Sequence, residues 1–80
     1  MNEEAIGIIG PISWDQKGNV LSIALFTSGE KEYVIANTRG GQELFNQLGK
    51  EVRVIFSKNG YFRDQIEIVV HNYTVIDAVS

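Results

Sequence analysis

Residues 39–56 read RGGQELFNQLGKEVRVIF, and the way this stretch divides decides the fold. Its first half has helical spacing: Leu44, Phe45 and Leu48 fall on one side, and Glu43, Asn46 and Gln47 cover the rest. Glu43 lies near the N-terminus of that segment, where the helix dipole favours an anion. Gly49 supplies a left-handed stop just past the last apolar residue. From Lys50 the period switches to strict alternation, with Val52, Val54 and Phe56 on one face. A helix of about two turns is marginal in water, so packing must hold it. The expectation is a plug in which Leu44, Phe45 and Leu48 press onto the end of a β-structure.

The chain on either side reads as strand. Residues 5–13, AIGIIGPIS, form a first strand, with Gly7, Gly10 and Pro11 marking a strong bend near Gly10-Pro11. Such a strand can pair with one neighbour early and another late. A polar loop, WDQKGN, carries the only tryptophan. Residues 20–27 and 31–37 are two strands joined by SGEK, where Gly29 suits a type II′ hairpin turn. The register this implies sets Thr27 against Glu32, Phe26 against Tyr33, Leu25 against Val34 and Ile23 against Ala36. One face then carries Leu21, Ile23, Leu25, Val34 and Ala36 as core. The other carries Ser22, Ala24, Phe26, Tyr33 and Ile35, which is too apolar for an ordinary solvated surface.

Residues 50–57 and 62–71 are the last two strands, with Ile66, Ile68 and Val70 inward on the second of them. Asn59-Gly60 between them is a strong two-residue hairpin signal. Taken literally, it pairs Val54 with Gln65 and Val52 with Glu67, which splits each rung between core and solvent. A loop of Asn59, Gly60 and Tyr61 instead pairs Val54 with Ile66 and Val52 with Ile68, and sets Arg53 opposite Glu67. Phe62 reads as inward. The tail extends the last strand past a kink at His71-Asn72, with Tyr73 and Val75 still packed.

Eighty residues make a single domain over 1–80, and 44% hydrophobic with 21% charged residues is ordinary globular composition. There is no cysteine, so there is neither a disulfide staple nor a thiolate metal site, and one histidine cannot build a metal cluster. Serines, His71 and the carboxylates fall into no nucleophile-elbow, paired-acid or ligand-spacing pattern, so no enzymatic activity and no cofactor are expected. Gly40-Gly41 reads as a tight entry into the short helix, not as an anion site. A net charge of −3 argues against a generic nucleic-acid binder. The N-terminus has no basic region and no long apolar run, so the expected location is the cytoplasm and no membrane partner is expected.

The order β-β-β-α-β-β, with a bent first strand and a helix after the third, resembles the OB-fold, a five-stranded Greek-key barrel. The resemblance runs from about Ile6 to Ile76, and GKEVRV and NYTVID resemble the ends of small single-domain bacterial and archaeal OB-fold proteins. An SH3-like barrel or an α+β roll is the rival architecture. The resemblance implies that the helix closes one end of the barrel and that the first strand pairs with the second and the fourth. It also implies a non-enzymatic binding module whose ligand lies on the face of strands two and three, flanked by the loops joining strands 1–2 and 4–5. The positions matching that site are Phe26 and Tyr33 on the face, Trp14 and Lys17 in the first loop, Lys58, Tyr61 and Arg63 at the second, and Arg39 at the exit of strand three. Stacking on the aromatic side chains points to single-stranded DNA or RNA. The acids Asp15, Glu30, Glu32 and Asp64 lie among the same positions, and the apolar face suits a protein partner or a second copy equally. Oligosaccharides are a third ligand class for such a site. The two loops are expected to leave the barrel at different ends.

Overall fold

The computed structural model describes residues 2–29 and 31–76. The elements are β1 (Glu3–Trp14), β2 (Val20–Thr27), β3 (Glu32–Ile35), α1 (Arg39–Leu44) continued by a 3₁₀ turn (Phe45–Gln47), β4 (Glu51–Phe62) and β5 (Gln65–Val75). The strands close into a barrel in the order β1-β2-β3-β5-β4, with β3 and β5 parallel and every other pair antiparallel. This is an OB-fold-like architecture, mainly β, with its short helix between β3 and β4. The barrel closes through Glu3–Ile8 of β1 against Glu51–Phe56 of β4, and the rest of β4, to Phe62, continues past that seam as a hairpin with β5.

β1 pairs with β4 through Glu3–Ile8 and with β2 through Gly7–Trp14, the double duty expected of a bent first strand. Register shifts between Pro11 and Ser13 and again between Ser13 and Trp14 bend its second half. Inside the barrel Ile9, Ile23, Leu25, Tyr33, Ile35, Leu44, Val52, Val54, Phe56, Ile68 and Val70 form one buried cluster. The described residues include no buried charged or polar residue, so the core is held by apolar packing.

The helix meets the expectation in part. Leu44 is fully buried, and Phe45 is partly buried against the core cluster. Leu48 is exposed and is no part of the plug, because the chain tightens into a 3₁₀ turn at Phe45 and rotates it outward. Thr38 caps the helix, its hydroxyl accepting the Gly41 N–H at 3.4 Å. Gly49 has φ +81°, the left-handed stop read from the sequence. Gly40 and Gly41 do more than turn the chain. A Cβ at Gly40 would run into the Val70 carbonyl oxygen, and one at Gly41 into that of Ala36. The helix therefore lies against the backbones of β5 and of the β3 exit.

Both predicted hairpin registers differ from the structure. In β2–β3, Phe26 opposes Glu32, Leu25 opposes Tyr33 and Ala24 opposes Val34. The connection, 28–30, has three residues, and Thr27 and Lys31 close it through N–H to carbonyl at 3.0 Å. A one-residue difference exchanges faces: Tyr33 and Ile35 point into the core, while Val34 and Ala36 take the opposite side. Tyr33 packs against Phe56 with ring centroids 5.2 Å apart. Glu30 lies outside the described residues.

In β4–β5, Val54 opposes Tyr73, Val52 opposes Val75 and Phe56 opposes Val70, so Arg53 faces Thr74 and not Glu67. The turn is Arg63-Asp64, with φ of 51° and 71° and Phe62 opposite Gln65. Two residues in the left-handed region make the type I′ geometry that matches strand twist. Asn59-Gly60 is a bulge within the strand, with Gly60 at φ +97°. A second bulge at His71 is the kink read from the sequence, and Tyr73 and Val75 beyond it pack on the core. Both strands run longer than the predicted 50–57 and 62–71.

Candidate functional site

The end of β1 and the start of β2 form one wall of a groove of about 280 Å³, through Ile12, Ser13, Leu21 and Ser22; the tip of the β4–β5 hairpin forms the other, through Phe62, Arg63 and Gln65. The loops expected at different ends of the barrel thus flank one groove. Register irregularities fall beside the groove, at Ile12 on β1, Leu21 on β2 and Asn59-Gly60 on β4, where such features bend a strand and increase its local twist. Leu21 is 59% exposed and Phe62 41% exposed, against expectations of core positions for both. Leu21 is the extra residue at a register shift on β2, between Ser22 opposite Ser13 and Val20 opposite Trp14, and Phe62 opposes Gln65, one position out of step with the inward-facing Ile66, so neither follows the core-facing alternation.

Aromatic surface borders this groove. Trp14 follows Ser13 and pairs with Val20, and it is 54% exposed; Tyr61 precedes Phe62 and is 77% exposed. The Arg63 guanidinium carbon sits 5.3 Å from the Phe62 ring centroid, in cation–π range. The hydroxyls of Ser13 and Ser22 hydrogen-bond each other along the first wall. Arg63 is a non-glycine residue in the left-handed region, a conformation costing roughly 1–2 kcal/mol.

The first loop is shaped by Asp15. Its carboxylate accepts the backbone N–H of Lys17 at 2.8 Å and of Asn19 at 2.9 Å, and the Asn19 side-chain amide at 3.1 Å. The Asn19 backbone bond, followed by the Asn19 side chain and then Lys17, holds the Asp15 carboxyl below its ordinary pKa. A folded-state pKa below the unfolded one means that the loop's support is present above the unfolded value and is lost as pH falls through the folded one. A carboxyl-carbon NMR titration is expected to place the Asp15 midpoint below the ordinary aspartate value of about 3.9, and a midpoint at or above that value would mean the loop is not pinned as described. Lys17 is exposed in the same loop.

The remaining candidates stand elsewhere. Lys58 is exposed on the β4 ladder with its Nζ 3.6 Å from Glu3. Arg39 is exposed at the first position of α1 and is not among the groove-lining residues. Tyr33 is buried, so the expected outer-face pair of Phe26 and Tyr33 does not exist. Phe26 is half-buried on the outer face, its ring over Gly10, where a Cβ would stand 2.7 Å from the ring edge. Ala24, Val34 and Ala36 share its side of the sheet and are buried. The face of β2 and β3 alone is therefore not an open binding surface.

The Ser57 hydroxyl lies 2.8 Å from His71 Nε2 on the outside of β4 and β5, and among the described residues no carboxylate is hydrogen-bonded to that imidazole. Among the described residues no group of three His, Cys, Asp or Glu side chains is placed to hold a metal ion, and no helix is long and apolar enough to cross a membrane. Comparison with protein families, with curated proteins and with solved structures finds no match to this chain.

Proposed function

We propose that the chain is a non-enzymatic binding module that takes single-stranded nucleic acid into the groove between the β1–β2 junction and the tip of the β4–β5 hairpin. The observation that supports this reading is the water-exposed aromatic surface at that place, Trp14, Tyr61 and Phe62, with Arg63 over Phe62. Base stacking on an aromatic face contributes roughly 1–3 kcal/mol per base and tolerates any base. Arg63 and Lys17 supply the cations for a backbone. Lys58 is engaged by Glu3, and the net charge is −3. The complex therefore rests on stacking, with a shallow salt slope of about two phosphate contacts.

Trp14 is the only tryptophan and reports on the groove directly. Titration with a short oligothymidylate is expected to shift its fluorescence at low salt, with affinity falling only modestly at physiological salt. Phe62→Ala should weaken binding about 10-fold or more, as the loss of one stacked base implies, with thermal stability little changed because Phe62 is not in the core cluster. Arg63→Gly separates fold from function more sharply. Glycine accepts the left-handed φ without a steric cost, so this variant should be as stable as the natural chain, or more so, while binding more weakly. Unaltered affinity in both variants would remove the groove as the site, and a natural chain that does not respond to the oligonucleotide at low salt would remove the nucleic-acid reading, with association with a protein partner in its place.

A further inference from the structure

A second exposed apolar surface lies on the outside of the barrel where β1 meets β4. The rungs of this ladder pair Glu4 with Ile55, Ile6 with Arg53, and Ile8 with Glu51. Their side chains alternate with the interior residues Ile9, Val52, Val54 and Phe56, which places them on the outer face. Ile6 and Ile8 are each about half exposed. Phe26 opposes Ile8 on the other side, and with Ile6, Ile8 and Glu51 it borders a shallow groove of about 450 Å³. Isoleucine offers no flat face for a base or a sugar, so this surface suits protein.

The pattern on these rungs is self-complementary. Along β4 the charge changes sign between Glu51 and Arg53, while along β1 the opposing positions are both isoleucine. A two-fold axis lying in the face, across the strands and between these two rungs, sets Ile6 of one copy over Ile8 of the other. The same operation sets Arg53 over Glu51 of the other copy, twice per pair. Such an isologous contact is the commonest form of protein oligomer. Arg53 is also 3.7 Å from Glu4 of its own copy, so in such a pair it would lie between that carboxylate and Glu51 of the other copy.

We propose that this face joins two copies of the chain into a two-fold dimer, with Ile6 and Ile8 at its centre and reciprocal Arg53–Glu51 ion pairs beside them. The proposal shares no residue with the nucleic-acid groove, so either can fail without the other. Sedimentation equilibrium from micromolar to millimolar chain should show the mass rising from monomer to dimer, and Ile8→Glu should hold it at monomer. Arg53→Glu alone and Glu51→Arg alone each set like charges together and should each remain monomeric. An equimolar mixture of those two variants should recover the dimer, because every contact then opposes unlike charges, and so should the double variant Glu51→Arg/Arg53→Glu. Circular dichroism confirms that each variant is folded before its mass is read. A natural chain that stays monomeric at millimolar concentration, a dimer indifferent to Ile8→Glu, or a mixture no more dimeric than its components would each overturn the proposal.

Discussion

Phe56→Ala is expected to leave most of the chain unfolded at room temperature. Phe56 is the largest of the fully buried side chains, and its ring is tilted 44° against that of Tyr33. Truncating a buried phenylalanine costs roughly 3–5 kcal/mol in transfer and cavity terms. A core of this size rarely supplies more than roughly 3–5 kcal/mol net, and no disulfide is present to compensate. Urea unfolding followed by far-ultraviolet circular dichroism should show a midpoint near zero denaturant. Phe45→Ala should cost clearly less, because Phe45 only leans on the core from the 3₁₀ turn. Equal costs for the two variants would mean that the centre of the core lies closer to the helix than described.

Gly41→Ala is expected to destabilise the domain, against the usual rule. Within a helix, exchanging glycine for alanine is worth about 1 kcal/mol in favour of the helix. Here the new Cβ would collide with the Ala36 carbonyl oxygen and stand 3.0 Å from Ile35 Cγ2. Backbone cannot move aside as a flexible side chain can. Overpacking of this kind costs typically 1–3 kcal/mol, and occasionally more, so sterics exceed propensity and the net sign is destabilising. Thermal denaturation reads the sign directly. A raised Tm would mean that α1 does not lie against the β3 exit and that its glycines serve only the turn.

How far the sequence carries depends on the kind of information each element needs. Element order and closure were legible, because the change from helical to alternating period at Lys50 and the glycines and proline of β1 each allow few solutions. Register was not. In β4–β5 the rule that inward residues oppose inward residues holds, with Val54 on Tyr73 and Phe56 on Val70. Alternation fixes only the parity of a pairing, and a longer hairpin with bulges at Asn59-Gly60 and His71 satisfies it equally well. The turn sits at Arg63-Asp64, whose composition is a weaker signal than Asn-Gly.

In β2–β3 the chain is apolar on both sides of the sheet, so the pattern could not choose between faces, and the count of loop residues decided the matter. That single residue moved Tyr33 from the candidate site into the core. Of the site positions named from the sequence, Arg63 lines the groove, Trp14 and Tyr61 are neighbours of its walls, and Lys17 stands in the adjoining loop. Phe26, Lys58 and Arg39 lie apart from it. Leu21 and Phe62 were missed because period-two patterning carries no mark of the register shift at Leu21 or of the turn at Arg63-Asp64, which places Phe62 on β4 opposite Gln65 and out of step with the inward residues of β5. Ile6 and Ile8 had a readable signal: in AIGIIG, one isoleucine inward at Ile9 forces the two beside Gly7 outward.

The measurement that tests the binding site most directly is an amide chemical-shift titration of the natural chain with an unlabelled single-stranded oligonucleotide. The shifts are expected to concentrate at Ser13, Trp14, Leu21, Ser22 and Tyr61–Gln65, with Ile6, Ile8 and the Ser57–His71 pair unmoved. Unshifted resonances throughout, or shifts gathered on the β1–β4 face instead, would contradict the groove as the site of binding.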